Sequence, residues 1–327
     1  MSESRAGAES VPRVAVLDDY QGVALSLADW SVLDGRVSVT VFGDHLVDAD
    51  QIAARLQPYD IVVAMRERTP FPAALLARLP RLRLLVTSGN RNAAIDVAAA
   101  TVQGVVVCGT EIESSSTVEL TWALILAAAR NLEAEVANMR SGSWATTLGT
   151  GLAGKTLGIV GLGRIGSAVA KVGVAFGMEV VAWSEHLTQE RAAQEGARWC
   201  PLDDLLRHSD VVTIHQVLSR RTRGLIGVVE LGLMKPTALL VNTSRGPIID
   251  TEAVLSALRA GTIGGLALDV YDEEPLASDH PLRSMPRAVV TPHIGYVTRE
   301  LLATFYRDIV DDIVHFLDGE PIRVLGG

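Results

Sequence analysis

The sequence predicts an α/β protein built from two doubly wound, Rossmann-like domains, and three observations carry that reading. Short apolar, β-prone runs alternate with helix-patterned runs, the order that gives a parallel sheet with helices on both faces. The alternation occurs twice, once ahead of residue 110 and again over residues 155–293. The second block opens on Gly158-Ile159-Val160-Gly161-Leu162-Gly163-Arg164-Ile165-Gly166, a GxGxxG loop set between a strand-like and a helix-like run.

In chain order, the first eleven residues read as a disordered tail. Strands are expected at 14–17, 37–42, 61–65, 82–87 and 105–108, with helices at 50–56, 73–79 and 95–101 between them. Ser116-Thr117-Val118-Glu119 has the pattern of a capping box ahead of an apolar run, so a long helix should start there and run through Arg130. It would carry the chain into the second domain. The stretch 132–140 would extend it, and Ser141-Gly142-Ser143 would end it. Strands follow at 157–160, 180–183, 211–214, 239–242, 265–269 and 288–291. A last helix over 298–317, placed after the second block, would return to pack on the first domain.

Composition narrows the function. A chain of 327 residues is long enough for two cores. A net charge of −9 argues against nucleic acid and leaves any anion site to local arginines or helix ends. The two cysteines, Cys108 and Cys200, have no metal-ligand spacing and suggest a reducing, cytoplasmic compartment rather than a disulfide framework; no metal is expected. The polar first ten residues lack the apolar core of a signal peptide, and the apolar run 122–129 is too short to span a membrane.

In the glycine loop, Gly161 would make the tight turn, Gly163 would let the backbone approach a pyrophosphate, and Gly166 would let the helix lie close on the strand. The helix N-terminus would then offer free N–H groups to the phosphates. Three further segments begin where predicted strands end: Asn242-Thr243-Ser244-Arg245-Gly246, Asp269-Val270-Tyr271-Asp272-Glu273-Glu274-Pro275 and Thr291-Pro292-His293-Ile294-Gly295. Ligands of open α/β sheets sit at that edge. Singly, Arg245 is equally a solvated loop residue, Glu274 one of an exposed acidic cluster and His293 a turn histidine. Together they suit hydride transfer to a carbonyl. The oxygen needs a proton, which a histidine can supply near neutral pH. A carboxylate beside that ring favours its protonated form and fixes it. An arginine can grip a substrate carboxylate and polarise the carbonyl. His293 is therefore the candidate acid/base, Glu274 its partner and Arg245 the anchor.

These segments, in this order and spacing, resemble the D-isomer-specific 2-hydroxyacid dehydrogenases over nearly the whole chain. The resemblance implies reversible NAD(P)H-dependent reduction of a small anionic 2-oxo acid, with Arg245, Glu274 and His293 as the catalytic set. It implies cofactor contacts at Arg164, Ile165, Thr243, Ser244 and Asp269, the last to the nicotinamide amide. It implies a discontinuous, flavodoxin-like substrate domain, 1–115 and 296–327, with the dinucleotide-binding domain, 116–295, inserted. The family is typically a homodimer, with no nucleic-acid or membrane partner. It also implies closure of the two domains over the substrate before transfer. The short tail after residue 317 leaves no room for the regulatory domain of some phosphoglycerate dehydrogenases. An alternative is an NAD(H)-sensing binding protein, like the corepressors that share the fold.

Three departures matter. The acid that usually holds the adenine ribose falls on Ser184, with Glu185 displaced by one. No Arg or Lys immediately follows to receive a 2′-phosphate, although His186 could do so weakly, so NAD is favoured over NADP. Val217 stands where many relatives carry proline after His215, to which no catalytic role is given. The substrate-side turn reads Thr87-Ser88-Gly89-Asn90-Arg91-Asn92, with one glycine where relatives are glycine-rich. Ser88, Gly89 and Asn90 are the candidate substrate contacts, and Arg66, after the strand at 61–65, could attract an acid. Trp144 could wall the pocket, or else pack in a core.

Overall fold

The computed structural model describes residues 11–326, so the tail reading for residues 1–10 lies outside the described residues. The chain divides into two compact units, one running to Glu113 and resuming at Thr298, the other spanning Ser114–Val297.

The first unit opens with β1 (Arg13–Val16), β2 (Ser38–Val41), α1 (Ala49–Leu56), β3 (Ile61–Ala64), α2 (Ala73–Leu76), β4 (Leu84–Thr87), α3 (Val97–Val102) and β5 (Val106–Gly109). The strands form a five-stranded parallel sheet ordered β2-β1-β3-β4-β5. β3 and β4 are buried at every residue, which is why they read as unbroken apolar runs rather than alternating ones. Asp48 caps α1 by accepting from Asp50 and Gln51 N–H, and Asp96 caps α3 through Ala99 N–H. That cap moves the start of α3 two residues past the expected 95. The helix expected over 73–79 is a single turn, α2.

The second unit contains α4 (Ser115–Ala129), α5 (Leu132–Arg140), β6 (Thr156–Val160), α6 (Arg164–Ala175), β7 (Glu179–Trp183), α7 (Gln189–Gln194), β8 (Arg198–Trp199), α8 (Leu202–His208), β9 (Val211–Ile214), α9 (Val228–Leu233), β10 (Leu239–Asn242), α10 (Thr251–Ala260), β11 (Gly265–Leu268) and β12 (Ala288–Val290). Its parallel sheet is ordered β12-β11-β10-β9-β6-β7-β8. The order reverses at β6, which places a crevice between β6 and β9. The two-residue β8 was not expected. α11 (Arg299–Leu317), capped by Thr298 through Leu301 N–H, belongs to the first unit and packs against β4.

Three expectations are corrected here. The capping box at Ser116–Glu119 does not form. The N-cap is Ser114, and Ser116 lies inside the helix, buried, with no hydrogen-bond partner for its hydroxyl among the described residues. Tertiary contacts set the helix phase instead: Thr117 Oγ1 donates to the Gly295 carbonyl (3.1 Å), and the Thr121 and Thr243 hydroxyls share a hydrogen bond (2.8 Å). The stretch 132–140 is a separate helix, because Asn131 takes the left-handed conformation (φ 50°) between α4 and α5. Trp144 packs in no core; it is 80% exposed.

Candidate active site

The glycine loop crosses from β6 to α6 at the crevice. Gly161 has φ +108°, and a Cβ there would stand 2.6 Å from the His215 carbonyl oxygen. A Cβ on Gly166 would strike the Gly161 carbonyl and crowd Ile159. These two glycines are thus required by the protein's own packing. Gly163 differs: a Cβ there meets nothing within 4 Å. It caps α6 without a side-chain bond, ahead of Arg164, which is exposed, and Ile165, which is half-buried. Open space over a helix N-terminus fits a dinucleotide pyrophosphate. On one flank, Gly161 N–H donates to the Trp183 carbonyl (2.8 Å) and Leu162 N–H to Ser184 Oγ (3.0 Å). On the other stands His215, whose Nε2 lies 3.0 Å from Thr213 Oγ1. Burial pushes its pKa down to about 4, so this ring is neutral near neutral pH.

Arg245, Glu274 and His293 follow three neighbouring strands whose ends are level: Asn242 pairs with Leu268, and Leu268 with Val290. His293 Nδ1 lies 2.6 Å from Glu274 Oε2. The other carboxylate oxygen accepts from Tyr271 N–H (2.9 Å). Tyr271 is itself held by its hydroxyl donating to the Thr291 carbonyl (2.8 Å). A Cβ on Gly246 would strike the Tyr271–Asp272 backbone, so the turn carrying Arg245 lies directly against the loop carrying Glu274. Asn242 holds that turn, donating from Nδ2 to the Arg245 carbonyl (2.8 Å).

His293 has φ 55°, a left-handed conformation that is uncommon outside glycine. Asp269 imposes it. One of its oxygens accepts from Thr291 Oγ1 (2.6 Å) and Ile294 N–H (2.8 Å), the other from Gly295 N–H (2.7 Å). Asp269 is 1% exposed, and burial pushes its pKa up against the pull of those bonds. Thr243 and Ser244 are similarly engaged, the first with Thr121, the second donating to the Gln216 carbonyl (2.6 Å). The organising roles of Tyr271, Thr291 and Asn242 were not anticipated, since a residue that acts through its backbone or through a neighbour leaves no motif.

In the first unit, Ser88 is fully buried. Its N–H donates to the Ala64 carbonyl and its hydroxyl accepts from Arg66 N–H (2.9 Å). Gly89 N–H donates to Thr110 Oγ1 (2.7 Å). The expected contacts at Ser88 and Gly89 are therefore turned inward, while Asn90 is exposed. Arg66, with φ 52°, lays its guanidinium on the Ser88 carbonyl (3.2 Å), where a Cβ on Gly89 would strike it. Asn92, unremarked in the sequence, ties the turn together by donating to the Arg66 carbonyl (2.7 Å) and Thr87 Oγ1 (2.9 Å).

A glycine loop at a switch point and a histidine–carboxylate pair further along the same sheet edge fit a dinucleotide-dependent oxidoreductase. Comparison with known proteins sharpens the class. Residues 122–295 match the family described as D-isomer specific 2-hydroxyacid dehydrogenase, NAD binding domain. The chain is 44% identical over 256 residues to a glyoxylate reductase of Aeropyrum pernix, covering 75% of this chain and 76% of the relative. A crystal structure of phosphoglycerate oxidoreductase from Vibrio cholerae superposes with a TM-score of 0.89 at 34% identity, covering 94% of this chain and all (100%) of that one. D-lactate dehydrogenase from Aquifex aeolicus, solved with NAD and lactic acid, gives 0.77 at 26% identity, covering 96% and 99%. The chain belongs to the D-isomer specific 2-hydroxyacid dehydrogenase family. It is an NAD-dependent oxidoreductase acting on the CH–OH group of a 2-hydroxy acid, and the sensor alternative is not favoured.

Proposed function

We propose that His293 is the acid/base of this reaction, Glu274 its partner and Arg245 the anchor that polarises the carbonyl of a small 2-oxo acid. The observation that carries the reading is the 2.6 Å contact between His293 Nδ1 and Glu274 Oε2 at the carboxyl edge of the sheet. When bound, the reduced nicotinamide supplies the hydride that the carbonyl carbon receives. With Nδ1 engaged, Nε2 is left to deliver the proton to the oxygen, and the ring ends neutral. In the reverse direction Nε2 takes that proton back. Arg245 meets the substrate carboxylate and the developing oxyanion with a planar fork of donors. Gly161, Gly163, Arg164, Ile165 and Gly166 form the pyrophosphate cradle, and Ser184 closes its ribose flank. Thr243, Ser244 and Asp269 shape the nicotinamide end, Asp269 by holding the turn that bears His293.

In the first unit, which we take as the substrate domain, Asn90 and the turn it ends, braced by Arg66, contact the acid. Unit two, with its glycine loop, is the cofactor domain. The relative named glyoxylate reductase makes glyoxylate the first acid to test, with hydroxypyruvate and pyruvate beside it. We also propose a cytoplasmic homodimer. α5 has no buried residue, and Leu132, Met139, Trp144 and Leu148 are 52%, 56%, 80% and 94% exposed, an apolar surface suited to a second copy.

A screen of 2-oxo acids with NADH and NADPH tests the assignment. Oxidation of NADH by at least one acid is expected. Oxidation of neither cofactor by any acid would return the sensing alternative.

A further inference from the structure

The loops that carry Glu274 and His293 are joined twice, once by the pair itself and once by a tyrosine. Tyr271 N–H donates to Glu274 Oε1 (2.9 Å), which leaves Oε2 to meet His293 Nδ1 (2.6 Å). The Tyr271 hydroxyl crosses to the next loop and donates to the Thr291 carbonyl (2.8 Å). That same oxygen accepts from His293 N–H (3.0 Å), closing a three-residue turn over Pro292. Tyr271 therefore holds the carboxylate with its backbone and the histidine-bearing turn with its side chain. It is itself well fixed. Its ring is half-buried and packs against the core of the unit, and the Gly246 backbone lies directly against its carbonyl. Burial, with Asp269 and Glu274 nearby, pushes the pKa of its hydroxyl up, so the group stays a donor at any ordinary pH.

We propose that Tyr271 is a positioning residue for this reaction, its hydroxyl holding the turn that bears His293 at the distance from Glu274 that keeps the imidazole in contact with the carboxylate. The inference rests on the acid/base reading above and adds the group that sets its geometry. Asp269 holds the same turn, through Thr291 Oγ1 and the Ile294 and Gly295 N–H groups, but against the end of β11. Tyr271 holds it against the loop that carries Glu274. On another side the Tyr296 ring meets the imidazole at a steep angle, with centroids 5.6 Å apart. Loss of the Tyr271 hydroxyl leaves all of these contacts available and removes only the tie between the two loops. The two loops can then part by a few tenths of an ångström. A short, charge-assisted bond weakens steeply over such a distance, and a misplaced acid/base loses rate more than it loses binding.

Tyr271→Phe removes the hydroxyl and keeps both the ring and the N–H. Proton NMR of the chain without cofactor gives a signature independent of turnover. The Nδ1 proton between His293 and Glu274 should resonate far downfield and be absent from His293→Ala and Glu274→Gln. In Tyr271→Phe it should move upfield and exchange faster with water, as the contact lengthens. With a 2-oxo acid, kcat of Tyr271→Phe should fall about tenfold, while KM and NADH affinity stay near those of the unaltered chain. In Tyr271→Phe/Glu274→Gln the loss should be that of Glu274→Gln alone, because the hydroxyl acts through the pair. An unmoved proton signal with full kcat, whatever the melting temperature does, overturns the positioning role. So does a loss that adds in full to that of Glu274→Gln. Full kcat in Glu274→Gln overturns the acid/base reading itself, and this inference with it.

Discussion

Each unit places a histidine–carboxylate pair at the carboxyl edge of its sheet, and the two pairs have opposite surroundings. In the first unit, His45 Nδ1 lies 2.8 Å from Asp18 Oδ1, with side chains 9% and 2% exposed. Asp18 Oδ2 accepts from Thr69 Oγ1, and the Asp18 carbonyl accepts from Arg68 Nη1, both at 2.8 Å. These residues follow β1, β2 and β3, so they fill the switch point of that sheet. In the second unit the pair is His293–Glu274, 20% and 26% exposed, and the switch point holds a glycine loop facing open space. The same chemical pair is buried at the switch point of one sheet and partly exposed, at the ends of β11 and β12 away from the switch point, in the other. Topology supplies the position in both; the neighbours decide whether it becomes a plug or a site.

The largest effect that would break this comparison is on turnover. His293→Ala should lower kcat by about a hundredfold to ten-thousandfold, the usual contribution of a positioned acid/base, with NADH affinity nearly unchanged. His45→Ala should leave kcat alone. Steady-state kinetics with any accepted 2-oxo acid, beside NADH titration, reads both. Normal turnover in His293→Ala would remove the proton donor.

Next in size is a contrast within the glycine loop. Gly166→Ala puts a methyl against the Gly161 carbonyl, so it should cost about 1–3 kcal/mol of stability by overpacking. Gly163→Ala meets no protein atom, so its melting temperature should stay close to that of the unaltered chain while NADH affinity falls about tenfold or more. Thermal denaturation and NADH binding separate the two. A loss of stability in Gly163→Ala with affinity intact would mean that this glycine serves the fold and not a ligand.

A third test addresses the plugged crevice. Thr69→Val removes the hydroxyl that satisfies Asp18 Oδ2 in a buried place, and should cost about 1–3 kcal/mol in chemical denaturation. Activity per folded molecule should not change. A kinetic defect without a stability defect would make the first unit's edge a working site too.

How far the chain could be read without coordinates follows from where information is local. Strands buried on both faces are written as apolar runs, and the rest carry β-prone runs between turn signals, so those of both sheets except β8 were legible to within a residue or two. That the segments carrying Arg245, Glu274 and His293 would start from neighbouring strand ends was legible as well, because the edge rule places them along one side of the sheet once the strands are known. The start of α4 was not. The string Glu113-Ser114-Ser115-Ser116-Thr117 offers several hydroxyls as caps, and the choice falls to contacts made by Thr117 and Thr121 far along the chain. The inward turn of Ser88 and Gly89 was hidden for the same reason, since their acceptors, Ala64 and Thr110, belong to other strands or their loops. The bond from Tyr271 to the Thr291 carbonyl was out of reach entirely, since a main-chain acceptor is written in no side chain.

The last predicted effect concerns a third buried carboxylate, again in the first unit and again closed to solvent. Asp312, on α11, is 0% exposed. One oxygen accepts from Arg323 Nε (3.0 Å), and the other has no hydrogen-bond partner among the described residues. Burial pushes its pKa up to about 7, against the opposing charge of Arg323 and with help from Asp308 and Asp311. An acid whose folded value lies above its unfolded one, about 3.9, binds its proton more tightly when folded. Its contribution to stability is therefore complete below pH ~4 and disappears as pH rises through ~7. Asp312→Asn keeps the neutral form at every pH. Denaturation midpoints of the two proteins should coincide near pH 4, and the variant should be the more stable near pH 8, by up to about 4 kcal/mol if the full shift is expressed. The opposite order at pH 8 would mean that Arg323 holds the carboxylate ionised and that the pair, rather than the proton, stabilises α11.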